Sequence, residues 1–208
     1  DRDYVKQSIE KRSQQDLEVI YRIVRPDQSI RWIKNRSFPI SDDSGRTRRI
    51  VGIATDITDL KAGDEKLRYL SLHDPLTGLY NRIYFEEEIS RIEKTRHGTV
   101  GILSCDVDGL KLVNDTLGHD QGDRLLAAAA KVIRDSFRGG DLAARIGGDE
   151  FAVILPNTTQ SAVENACQRI QEAVASYNAI TPELPLSISV GFAIRNGSHK
   201  NLKDVYKE

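Results

Sequence analysis

The chain has 208 residues, a length that suits one large or two small domains. Its 30 Lys and Arg against 31 Asp and Glu leave a formal charge of −1, which argues against a broad nucleic-acid-binding or membrane-adsorbed surface. Hydrophobic residues at 39% and charged residues at 29% exclude a wholly disordered chain, and the apolar runs are too short to span a bilayer.

The chain starts at Asp1, contains no Met and shows no secretory leader, so it reads as a cytoplasmic piece of a longer protein, which leaves open membrane segments upstream in the parent. A leading helix is expected over about Asp3 to Lys11, then three antiparallel strands, Leu17 to Val24, Ile30 to Ile40 and Ile50 to Ile57. Pro26-Asp27-Gln28-Ser29 and Asp42-Asp43-Ser44-Gly45 have the chemistry of the turns between them. Three strands and one helix bury little, so this unit, about residues 1–58, reads as incomplete. Residues 59–71 predict a short connecting helix. Ile57, Leu60 and Leu67 fit a heptad seam there, although Asp64 takes one seam position and Gly63 weakens the helix.

From Leu72 the pattern changes to alternating helices and strands. Phe85, Ile89 and Ile92 stripe a helix, Val100 to Val107 is an apolar strand, and Gln121 to Phe137 is a helix. Strands Leu142 to Ile146 and Phe151 to Leu155 flank Gly147-Gly148-Asp149-Glu150; a helix from Ser161 to Tyr177 and a strand from Leu186 to Ile194 follow. This order predicts an α+β fold, an antiparallel-rich sheet with packed helices. Cys105 and Cys167 read as buried, reduced thiols, and no Cys/His cluster has zinc-ligand spacing.

Chemistry concentrates around Gly147-Gly148-Asp149-Glu150. Two glycines suit a tight hairpin with positive φ and let a phosphate approach the backbone. Adjacent acids repel a triphosphate unless a divalent cation lies between them. Asp106 and Asp108 end the strand Val100 to Val107, and Asp106 reaches the same ion as Asp149 if the two strands are neighbours. The alternatives are a surface hairpin with solvated acids and a turn acid at Asp106.

Four motifs then define a resemblance. They are Asp74-Pro75-Leu76-Thr77-Gly78-Leu79-Tyr80-Asn81-Arg82, Asp106-Val107-Asp108-Gly109-Leu110-Lys111-Leu112-Val113-Asn114-Asp115, Gly118-His119-Asp120-Gln121-Gly122-Asp123 and Gly147-Gly148-Asp149-Glu150-Phe151. About residues 72–194 resemble the GGDEF-domain diguanylate cyclases of bacteria, which puts the cyclase domain at 72–208. The motifs Tyr21-Arg22-Ile23-Val24-Arg25-Pro26-Asp27, Ile30-Arg31-Trp32-Ile33 and Gly52-Ile53-Ala54-Thr55-Asp56-Ile57-Thr58 resemble the C-terminal half of a PAS sensor domain, whose ligand is unknown.

The resemblance implies a nucleotidyl-cyclase-like, ferredoxin-like palm in which a homodimer condenses two GTP to cyclic di-GMP and two pyrophosphates, under control of the PAS half. It implies Mg²⁺, with Mn²⁺ as the alternative ion, on Asp106, Asp149 and the Val107 carbonyl. Asp149 would also activate the attacking hydroxyl, Lys111 would neutralise phosphate charge, and Glu150 would have a second-metal role. Asn114 and Asp123 would read guanine, beside His119, with Gly147 and Gly148 at the phosphates. Arg138-Gly139-Gly140-Asp141 matches the Arg-x-x-Asp product-inhibition site, with Arg138 and Asp141 on guanine edges. Leu110 stands where the family often has Phe, and the last helix of the family looks truncated after Ile194. Two other readings compete, a non-catalytic cyclic di-GMP receptor and a GTP-binding regulatory module. Neither a nucleic-acid polymer nor a membrane is expected as a direct partner of this segment. Trp32 is expected in sheet packing, His97 and His199 in solvated loops, and Asp74 and Asn81 in capping or tying the segment that leads into the cyclase half.

Overall fold

The computed structural model describes residues 1–11, 16–44, 46–95 and 98–195; Gly45, His97, His199 and the expected truncated last helix lie outside them. The chain divides into two compact units, Asp1–Arg68 and Tyr69–Glu208.

In the first unit, helix α1 (Arg2–Lys11) precedes an antiparallel meander of β1 (Leu17–Val24), β2 (Ile30–Ser41) and β3 (Thr47–Asp56), in spatial order β1-β2-β3. Between β1 and β2, the Asp27 carboxylate accepts the Ser29 N–H at 2.9 Å, the short-range bond that makes aspartate a turn former. Every residue of β3 is exposed, Ile53 at 66%. The closing Asp56-Ile57-Thr58 triplet has a mechanical reason. Asp56 accepts both the Thr58 N–H and the Thr58 hydroxyl, while the Thr58 hydroxyl oxygen accepts the Trp32 N–H at 2.9 Å. The start of helix α2 (Thr58–Leu72) is thereby tied to β2. Trp32 is half-buried in the sheet, under the Arg22 guanidinium and the Lys61 ammonium, 5.4 and 5.8 Å from its ring centroid.

The second unit runs α3 (Arg82–Thr95), β4 (Val100–Val107), α4 (Leu110–Leu117), α5 (His119–Asp135), β5 (Leu142–Arg145), β6 (Glu150–Pro156), α6 (Gln160–Ile180) and β7 (Ile188–Arg195). All strand pairs are antiparallel, in the order β5-β6-β4-β7. This is the ferredoxin-like βαββαβ arrangement, with β4 and β6 central. Central strands need apolar side chains on both faces, and the period of two divides them. Leu103, Cys105, Val107, Phe151, Val153 and Leu155 join the core under α5 and α6. Val100, Ile102, Ala152 and Ile154 join Phe85, Ile89 and Ile92 of α3 on the other face.

Two expectations are corrected. Helix α4 was not anticipated: eight residues carry too little periodicity, and the segment reads as motif before it reads as helix. Its start is set by Gly109, in the left-handed region at φ 74°. The second correction concerns Gly147 and Gly148, neither of which has a left-handed φ. The connection is a four-residue loop, closed by the Ile146 N–H donating to the Glu150 carbonyl at 2.9 Å. A Cβ on Gly147 would meet the carboxylate end of the Glu150 side chain, which is exposed and can swing aside.

Candidate active site

The ladder between β4 and β6 brings the sequence-predicted acids together. Asp106 is paired in register with Glu150, and the Val107 N–H donates to the Asp149 carbonyl at 3.0 Å. Asp106 is exposed, yet partial desolvation raises its pKa, and the charges of Asp149, Asp108 and Glu150 raise it further. Asp108 is held differently: its two carboxylate oxygens accept the Ser187 and Ser189 hydroxyls at 2.7 and 2.8 Å, which ties the end of β4 to the β7 side.

Among the described residues, no three His, Cys, Asp or Glu side chains gather as a metal cage. Two crowded carboxylates next to a strand-end carbonyl are the donor set that suits Mg²⁺, which is bound through one or two carboxylates together with substrate phosphates. The mutual repulsion at Asp106 is what a divalent cation would relieve, so the residues present fit the ion.

Lys111 is exposed on the first turn of α4, and Asn114 is half-buried one turn later. Asn114 lies against α5 so closely that a Cβ on Gly122 would overlap its amide oxygen. Asp123, the next residue, is exposed on α5, and His119 is exposed at the start of that helix. The structure thus groups Asn114 with the first turns of α5. At the other end of α5, the Arg138 N–H and guanidinium donate to Asp141 at 3.2 and 3.4 Å. The Asp141 side chain is 4% exposed and Arg138 73%, and neither Gly139 nor Gly140 has an atom within 4 Å of an added Cβ. Both side chains line a cavity of about 500 Å³ with Ser136, Phe137, Asn165 and Arg169.

Asp74 and Asn81 tie the lead-in segment as expected. Asn81 accepts the Tyr84 N–H at the start of α3 and donates to the Ser71 carbonyl. Asp74 accepts the Thr77 N–H and hydroxyl at 2.8 and 2.7 Å. It also accepts the Arg145 guanidinium at 3.2 and 3.3 Å. Burial alone would raise the Asp74 pKa; the Thr77 hydrogen bonds and the Arg145 charge outweigh it and hold the carboxyl below its ordinary value.

Arg145 is the residue that sequence reasoning missed. It also donates to the carbonyls of Gly147 and Gly148, at 3.2 Å and 2.7 Å for its shortest bonds, and so braces the loop that carries Asp149. The available signal was an arginine two residues before the glycine pair. Ser187 and Ser189 were also missed; their relation to Asp108 becomes visible only once β7 is paired with β4.

Comparison with known proteins identifies the family. The family model "Diguanylate cyclase, GGDEF domain" matches residues 71–208, and "PAS fold" matches residues 1–54. The chain belongs to the GGDEF-domain diguanylate cyclase family, with PAS-fold strands ahead of that domain. It is 33% identical over 154 residues to the probable diguanylate cyclase DgcC of Escherichia coli, covering 72% of this chain and 42% of DgcC. It is 30% identical over 201 residues to protein y4lL of Sinorhizobium fredii, covering 90% of this chain and 24% of that protein. The chain therefore spans less than half the length of these curated relatives. Among solved structures, the coiled coil and GGDEF domain of DgcB from Caulobacter crescentus, in complex with c-di-GMP, superposes with a TM-score of 0.66 at 30% identity. That match covers 73% of this chain and 83% of the DgcB chain. No helix among the described residues is long and apolar enough to cross a membrane.

Proposed function

We propose that this chain is the catalytic segment of a diguanylate cyclase that condenses two GTP into cyclic di-GMP and two pyrophosphates. The observation that carries the reading is the β4–β6 junction, where Asp106 stands opposite Glu150 and the Val107 N–H holds the Asp149 backbone. The likeness to DgcC and to the c-di-GMP-bound DgcB domain supports it. Asp106, Asp149 and the Val107 carbonyl are the residues that would hold Mg²⁺ or Mn²⁺. The ion, when bound, supplies the positive charge that lets acids and GTP phosphates share one site.

Asp149 takes the proton from the 3′-hydroxyl of the partner's GTP, and Lys111 offsets charge that develops on the phosphates. Asp123 accepts from the N1–H and N2–H of guanine, and Asn114 pairs with neighbouring polar edges; adenine would leave the carboxylate unpaired. His119 flanks the base, Gly147 and Gly148 leave room for phosphate, and Glu150 supports the metal side. Each protomer of a homodimer holds one GTP, so the reaction requires two copies facing each other. In this reading residues 1–58 are part of a PAS sensor, 59–71 the linker and 72–208 the cyclase, acting in the cytoplasm. Arg138 and Asp141 bind the product and restrain turnover.

The test is to incubate the full-length protein with GTP and Mg²⁺ and look for cyclic di-GMP by chromatography, beside Asp149→Ala. Product from the unsubstituted protein alone is expected. A folded dimer that binds GTP and makes no product would overturn the reading.

A further inference from the structure

Four rings stack in an unbroken column. Tyr69 lies on His73 at 4.1 Å between centroids and 12° between planes, His73 on Tyr80 at 4.5 Å and 27°, and Tyr80 on Tyr84 at 4.1 Å and 19°. The column starts in the last turn of α2 and ends in the first turn of α3. His73 is its hinge. One ring face meets Tyr69, the other meets Tyr80, and Nδ1 stands 3.1 Å from the Gly78 carbonyl. A carbonyl only accepts, so Nδ1 carries the hydrogen. His73 and Tyr80 also form an antiparallel bridge, and Tyr80 forms a parallel bridge with Ala144 of β5.

The residue after His73 is Asp74 and the residue after Ala144 is Arg145. The Arg145 N–H donates to the Tyr80 carbonyl at 2.8 Å, and the Arg145 side chain spans from Asp74 to the Gly147 and Gly148 carbonyls. A shift of the His73 ring therefore has a short, rigid path to the loop that carries Asp149. The path runs ring to ring into Tyr80, by backbone bonds into β5, and by the guanidinium into the loop.

We propose that His73 is a positioning residue for the Gly147–Asp149 loop: clasped between Tyr69 and Tyr80, it locks the last turn of α2 to β5 and keeps Asp74 on Arg145. The consequence for turnover rests on the cyclase reading; the consequence for the loop does not. The column also makes Tyr69 the side chain through which a movement of that helical turn reaches the loop.

The experiment uses the full-length protein with His73→Ala, His73→Phe and Tyr69→Ala. Hydrogen exchange read by mass spectrometry over Arg145–Glu150 serves whether or not GTP is turned over. Expected is faster exchange in that loop for His73→Ala and Tyr69→Ala, unchanged exchange in α6, and near-normal behaviour for His73→Phe, which keeps a flat ring between the tyrosines. Loop exchange that is unchanged in His73→Ala, or raised equally everywhere, would overturn the proposal. Where the unsubstituted protein makes cyclic di-GMP, His73→Ala should lower kcat at least about tenfold, because small misplacements at a reacting centre are expensive. KM should stay within about twofold, the split expected when alignment rather than binding is lost. A normal kcat in His73→Ala beside an active parent would also overturn it, whereas an inactive parent would count against the cyclase reading alone.

Discussion

The carboxyl pKa values of Asp106 and Asp74 are pushed in opposite directions, and each shift has its own consequence. Partial desolvation and three neighbouring acids raise the Asp106 pKa, so ionising it weakens the metal-free fold, by a small amount because the exposed side chain is screened by solvent. Because the folded form holds its proton more tightly, the cost sets in as pH rises from the ordinary carboxylate value through the raised one. Asp106→Asn should therefore raise the Tm of the metal-free protein slightly at neutral pH and remove any further rise on adding Mg²⁺. Thermal melts with and without Mg²⁺ check both. Asp74 has the reverse sign: Thr77 and Arg145 hold its pKa down despite burial. Its stabilising contribution is present above about pH 4, near the ordinary aspartate value, and is lost as pH falls through the depressed one. The Tm gap between the parent and Asp74→Asn should close as melts are taken to lower pH below that point. If Arg138 and Asp141 bind product as proposed, Arg138→Ala should relieve product inhibition and leave the initial rate without product unchanged. Unchanged inhibition would remove Arg138 and Asp141 from that role.

At the scale of elements, the two central strands hold the unit together from both sides. Phe151 is fully buried under α5 and α6, directly after the acids it helps to place. Phe151→Ala should cost about 3–5 kcal/mol in denaturant unfolding, the usual cost of an aromatic cavity. Cys105 lies in the same layer, and burial pushes its thiol up to about 12, with Cys167 adding to it. It should stay unreactive to a thiol reagent in the native protein and react on unfolding. Elements with strong periodicity were legible. Val100–Val107 coincides with β4, and Phe85, Ile89 and Ile92 face the core. Helix α4 was not legible, because its position depends on Gly109 turning left-handed and on Asp108 being held from β7. The same holds for the glycine pair: the sequence suggested positive φ, and the loop is built without it.

At the scale of the molecule, the near-zero charge argued against a broad nucleic-acid-binding surface but left room for one small site where a cation would lie between acids and phosphates. The candidate site residues on β4 and β6 could be proposed from motif spacing because the pairing of these two strands follows from the fold. Arg145, Ser187 and Ser189 could not, because their meaning lies in contacts 71 to 81 residues away in sequence. The account rests on Asp106 and Asp149 acting as one metal-dependent pair. The most direct test is the initial rate of cyclic di-GMP formation from GTP as Mg²⁺ is titrated, for the full-length protein and for Asp106→Asn and Asp149→Asn. Saturable activation of the parent and none of either variant is the predicted result. Activation of Asp106→Asn or Asp149→Asn to the parent's rate would contradict it.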